Sequence, residues 1–139
     1  MTLNLDSLRK AVDALRRSMD ASQRGMASPD EDMRETLQAG VIQHFEVAYE
    51  QCWKFIQRWM RANVSLEDAD YPRTRKELFR MAARHGLVSD PLPWFSFGDA
   101  RNLTSHTYDQ AQADAAYDTA RIFLPHALEL LGQLEVRND

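Results

Sequence analysis

The sequence predicts an all-α fold, an up-and-down bundle of about five helices. Three observations lead there. Apolar residues recur at helical spacing over long segments. Glycine, proline and Ser/Thr/Asp capping signals separate those segments. No stretch shows the alternation of a half-buried strand. At 139 residues the chain fits one domain and can bury an adequate core, and it carries no repeat or low-complexity segment.

The first helix is expected from Leu3 to about Arg24, with Leu5, Leu8, Val12, Leu15 and Met19 on its apolar stripe. Asp6 and Ser7 are candidate caps and Gly25 a candidate stop. Ser28-Pro29-Asp30 then opens a long second helix that runs to about Ala62. One stripe on it is Leu37, Val41, Phe45, Ala48, Cys52, Phe55 and Trp59; a second is Ile42, Tyr49, Trp53, Ile56 and Met60. A helix apolar on two sides is packed on two sides, which places this one in the middle of the bundle. Its aromatics read most simply as core.

Between Asn63 and Tyr71 lies an acidic loop with Glu67, Asp68 and Asp70. Thr74 and Glu77 form a capping-box pattern for the third helix, which ends at Gly86. Asp90-Pro91-Leu92-Pro93 leads into the fourth. The fifth runs from Gln110 to about Leu134, with Ala116, Ile122, Phe123, Leu124, Leu128 and Leu131 expected inward and a bend at Pro125.

Composition narrows the function. A net charge of −4 argues against broad nucleic-acid coating, so any RNA contact must be local and phosphate-centred. Cys52 is the one cysteine, sits in an apolar stretch and reads as a buried small hydrophobe. No apolar run is long enough to span a bilayer and no signal-peptide pattern opens the chain, so a cytoplasmic location without membrane contact is expected.

The chemistry concentrates in Arg101-Asn102-Leu103-Thr104-Ser105-His106-Thr107-Tyr108. Arginine offers fixed donors that match a phosphate. Histidine moves its proton near neutral pH. Together they suffice to cut an RNA phosphodiester without a metal: a charge clamp and a general acid/base. On a regular helix, however, positions 101 and 106 lie about 140° apart. Asn102 and His106 share a face, as do Arg101 and Ser105. Either the helix breaks near His106, or the working site forms across a dimer axis, where each copy supplies part of it. The second geometry is favoured here.

Two further polar features compete. Glu46, Glu50, Lys54 and Arg58 step by four along the second helix, in the order that suits a solvated ion-pair stripe. On the third, Arg73, Arg80 and Arg84 fall within about 40° of one another. With Arg75 and Lys76 they form the one concentrated basic surface, a candidate contact for phosphate or an acidic partner. His44, His85 and His126 are weaker candidates, since no His/Cys/Asp/Glu group has metal-ligand spacing. Neither a Gly-rich phosphate loop nor a Gly-Ser pair of nucleotidyltransferase type is present, so the chain is not itself a transferase and no cofactor is expected.

The Arg-x4-His stretch resembles the signature of HEPN domains, and Arg-x4-His-x-Tyr is similar to the toxin subunit of HEPN/MNT toxin–antitoxin pairs. More narrowly, the chain resembles the small all-α family called nucleotidyltransferase substrate-binding protein. Phe45-Glu46 through Glu50 to Trp53-Lys54, Pro72-Arg73 and Trp94 carry that match, over roughly residues 3–134. Pro91-Leu92-Pro93 and Gly98 depart from the pattern. The resemblance implies a homodimeric RNA-cutting toxin subunit, silenced by a cognate minimal nucleotidyltransferase that attaches AMP to Tyr108. It implies catalytic roles for Arg101, His106 and Asn102, and a place for Glu46, Glu50 and Lys54 in the cleft or the partner contact. The family's older label implies instead a non-catalytic subunit that presents substrate to a nucleotidyltransferase.

Overall fold

The computed structural model describes residues 2–64, 71–106 and 109–138, with His106 described by its backbone alone. Five α-helices account for most of it, and no strand occurs among the described residues. The acidic residues Glu67, Asp68 and Asp70 lie outside the described residues.

α1 (Asp6–Gly25) buries Leu8, Val12, Leu15 and Met19 as its spacing predicts, with Leu5 just ahead of it. The helix starts three residues later than expected, and neither Asp6 nor Ser7 caps it. The N-cap position is Leu5, which has no side-chain cap; one residue ahead of it Asn4 Oδ1 accepts from the Asp6 amide at 3.0 Å. α2 (Glu31–Asn63) is capped by the Asp30 side chain, which accepts from the amides of Asp32 and Met33. It buries Val41, Phe45, Ala48, Cys52 and Phe55 on one stripe, and Ile42, Tyr49, Ile56 and Met60 on the other. Both stripes are occupied because α2 packs on α1 and α5 as well as on α3 and α4. Cys52 is wholly buried, and burial pushes its thiol well above the ordinary range.

α3 (Arg75–Arg84) starts at Thr74, whose Oγ1 accepts from the Glu77 amide at 3.1 Å. The returning bond from Glu77 reaches the Arg73 amide at 2.8 Å, one residue earlier than in a standard capping box. At the other end Gly86 sits at φ +78°, where Leu87 N–H bonds to Ala82 O at 2.9 Å. That left-handed turn is the reason for a glycine there.

The proline-rich start of α4 (Pro91–Leu103) has a simple explanation. Asp90 Oδ1 accepts from the Leu92 amide at 2.9 Å, and both prolines fall in the first turn, where amides have no helical partner to lose. α5 (Gln110–Val136) follows from an Asp109 cap and runs unbroken through Pro125. Its buried face corrects the sequence reading. Ala113, Ala116, Tyr117, Ala120, Phe123, Ala127, Leu130 and Leu134 point inward, whereas Ile122 is 53% exposed and Leu128 is exposed too. Leu124 and Leu131 reach the core only at its margin. Bulk suggests one face, but the 3.6-residue period through small alanines defines the other, where helices approach closely.

The core centres on Phe123. Its ring meets Phe45, Trp94 and Phe97 edge-on, at centroid distances of 5.1, 5.7 and 5.2 Å. The two ends of the chain are tied by a reciprocal pair, Leu3 N–H to Asn138 Oδ1 at 2.8 Å and Asn138 Nδ2 to Leu3 O at 2.9 Å. Among the described residues no helix is long and apolar enough to cross a membrane.

Candidate active site at the end of α4

α4 ends at Leu103, and Thr104–His106 tighten into a 3-10 turn. The α-helix therefore ends three residues before His106, a break near that residue as in the first of the two geometries. Arg101 stands in the last turn before the break. Its fork is held from two sides. Within its own turn, Nη1 donates to Thr104 Oγ1 at 3.2 Å, while that hydroxyl donates to Arg101 O at 2.7 Å.

From α2, Glu46 Oε2 lies 3.6 Å from Arg101 Nη1 and Glu50 Oε1 lies 3.4 Å from Nε. The Nε contact lacks hydrogen-bond geometry, so that buried N–H has no hydrogen-bond partner among the described residues. Glu46 and Glu50 share a face because they are one helical turn apart. Glu50 reaches further: its Oε2 accepts from Trp53 Nε1 at 2.9 Å, and its Oε1 is 4.0 Å from Arg75 Nη1. Arg75, the first residue of α3, lies over the Trp53 ring with Cζ 4.5 Å from the centroid.

The solvated Glu–Lys stripe that spacing alone suggests on α2 is thus not what forms. Its glutamates turn across to α4, while Lys54 stays exposed at 5.7 Å from the Trp53 ring and Arg58 packs on Phe55 at 4.6 Å. The basic surface is also rearranged. Arg73 precedes α3, Arg80 stacks on Phe95 at 5.2 Å, and Arg84 is exposed in the last turn. Of that cluster it is Arg75 that joins the Arg101 network. Asn102 is exposed beside Arg101. The His106 side chain and Tyr108 lie outside the described residues.

Next to this network is a pocket of about 280 Å³ that the sequence reading missed. Arg75, Phe95, Asp99 and Asn102 line it, with Tyr49 and Gly98 between them. Tyr49 is fully buried, yet its hydroxyl makes no hydrogen bond of normal geometry among the described residues. Burial pushes its phenol up, partly offset by the neighbouring Arg75. Gly98 was the one available signal. A Cβ there would come within 2.7 Å of Tyr49 Oη, so the glycine exists to let the phenol approach. Among the described residues no three His, Cys, Asp or Glu side chains are grouped to hold a metal ion.

This geometry has relatives. The family model described as nucleotidyltransferase substrate binding protein like matches residues 3–136. A Haemophilus influenzae protein called probable ribonuclease HepT is 39% identical over 107 residues, covering 77% of this chain and 73% of that protein. A solved Haemophilus influenzae structure, described as the fold of a substrate binding domain of a nucleotidyltransferase, superposes with a TM-score of 0.85 at 34% identity, over 95% of this chain and 99% of that one. A chain from a toxin–antitoxin crystal structure with AMP-PNP shares the fold, with a TM-score of 0.64 at 17% identity over 95% of this chain and 99% of that one.

Proposed function

Because the chain belongs to the nucleotidyltransferase substrate binding protein like family, which is HEPN-like, we propose that it is a metal-independent endoribonuclease, the toxin subunit of a toxin–antitoxin pair. One observation carries this reading. Arg101 is anchored by Glu46, Glu50 and Thr104 at a broken helix end, on the turn that leads into His106. An arginine so held is positioned before substrate arrives. The name of the Haemophilus ribonuclease supports the same chemistry.

In this mechanism the ribose 2′-oxygen attacks phosphorus and the bond to the 5′-oxygen breaks, leaving a cyclic 2′,3′-phosphate. His106 handles the proton of the 2′-hydroxyl or of the leaving 5′-oxygen. Arg101 stabilises the charge that grows on the phosphate, exchanging carboxylate partners for phosphate oxygens. Asn102 orients His106 or the phosphate. The active form is a homodimer whose two motif segments meet at the two-fold axis. An apolar groove between α4 and α5, lined by Ala100, Leu103, Ala115 and Thr119 with Leu103 58% exposed, is an open surface close to the motif on which a second copy would pack.

The partner is a cognate minimal nucleotidyltransferase that silences the toxin by transferring AMP from ATP to the Tyr108 hydroxyl, with pyrophosphate leaving and the phenolic proton released. The added phosphate and bulk at the mouth of the site occupy Arg101 and exclude RNA. Expression in bacteria with and without that partner tests the whole reading. The chain alone should arrest growth and the His106→Ala chain should not. Intact mass from the co-expressed pair should show added AMP that vanishes in Tyr108→Phe, a variant that stays toxic beside the partner. Unmodified Tyr108 in a neutralised complex would mean silencing by binding alone. A second reading, a non-catalytic subunit presenting substrate to the transferase, is favoured by the description of the solved Haemophilus structure. It predicts no growth arrest in any arm.

A further inference from the structure

We propose that the pocket beside Arg101 holds one unstacked nucleobase of the RNA strand, and that the Tyr49 hydroxyl bonds to that base. This deepens the ribonuclease reading and rests on it. Two costs to stability coincide at one point of the pocket. Tyr49 is fully buried, and its hydroxyl makes no hydrogen bond of normal geometry among the described residues. The nearby Arg75 guanidinium offsets only part of that burial, which disfavours folding relative to phenylalanine. Gly98 stands inside α4, where glycine is a poor helix former, and it leaves the space for that hydroxyl, since a Cβ would lie 2.7 Å from it. A fold without a use for the hydroxyl has no reason to hold both.

The lining matches a base rather than a bare anion. Phe95 is a partly buried aromatic wall with Lys76 and Arg80 over its ring at 5.6 and 5.2 Å. Arg75 presents a planar guanidinium, and Asp99 and Asn102 are exposed polar side chains at the rim. Stacking planes, flanking cations and edge-reading polar groups are how proteins hold single-stranded bases. About 280 Å³ is near the lower end of small-ligand pockets, which suits one ring system and not a larger group. Arg75 lines the pocket and reaches Glu50, which also faces Arg101, so the base belongs to a nucleotide next to the phosphate that Arg101 clamps.

The test uses full-length His106→Ala protein, so that binding is read without cleavage. Its affinity for each of the four nucleoside 5′-monophosphates is compared with that for ribose 5-phosphate. At least one nucleotide should bind about tenfold or more tightly than ribose 5-phosphate. Adding Tyr49→Phe should weaken that nucleotide about five- to tenfold, as loss of one hydrogen bond does. It should leave ribose 5-phosphate unchanged and keep or raise the melting temperature. Equal affinity for all five probes, or unaltered nucleotide binding in Tyr49→Phe, would overturn the proposal. Wild-type RNA cleavage, assayed in parallel, reports separately on the ribonuclease reading. Base binding without cleavage sinks that reading alone; cleavage without base binding sinks this one alone.

Discussion

Arg101→Ala is expected to slow RNA cleavage about 100-fold or more while leaving the fold intact. The loss follows from removing the donors that meet the phosphate charge as it develops. The intact fold follows from exposure. Arg101 is 29% exposed and its carboxylate partners are similarly open, so these ion pairs are solvent-screened and contribute little to stability. Arg101→Lys should recover only part of the rate. Lysine keeps the charge but cannot reach Glu46, Glu50 and Thr104 with one planar fork. Single-turnover cleavage kinetics beside circular dichroism separate the two effects. An Arg101→Ala protein that cuts at the wild-type rate contradicts the clamp. One that loses its helical signal contradicts the surface-like character of the pairs.

Phe123→Ala should be the most destabilising single truncation in α5, by about 3–5 kcal/mol. Its ring fills the space among Phe45, Trp94 and Phe97, which come from α2 and α4, and those large neighbours cannot all close in at once. Ile122→Ala, one residue away, should change stability by less than about 0.5 kcal/mol, since Ile122 is 53% exposed. Urea unfolding of the two variants tells the two faces apart. Comparable losses at both positions would mean that Ile122 is covered, as it would be if the α5 face also packs on a second copy.

Both residues read as inward from the sequence; Phe123 is buried, and the error at Ile122 shows where pattern reading ran out. Five helices, the α1 stripe and both stripes of α2 were legible because their large apolar residues keep the helical period. The α5 face was not, because alanines carry four of its eight buried positions. The helix starts at Asp30 and Thr74 announced themselves, whereas the Asp109 cap of α5 and the Asn4 contact ahead of α1 did not.

At the site, the Arg101 motif was visible in the residues and Glu46 and Glu50 were visible as a pair. Their local spacing suggested an ion-pair stripe along α2, and only the tertiary fold could show them facing α4. Arg75 was legible as a charge but not as a member of the network, since its partners on α2 are distant in sequence. Tyr49 fell on a core stripe, where an unpaired hydroxyl has no sequence signature. The proline-rich start of α4, a departure from the family pattern, proved compatible with a first helical turn.

The most direct measurement of the central claim is cleavage of single-stranded RNA by purified protein in excess EDTA, wild type against His106→Ala. Wild type should cut and leave cyclic 2′,3′-phosphate ends, and His106→Ala should be slower by about 100-fold or more. Cleavage that EDTA abolishes, or a His106→Ala protein that cuts as fast as wild type, would contradict a metal-independent site built on Arg101 and His106.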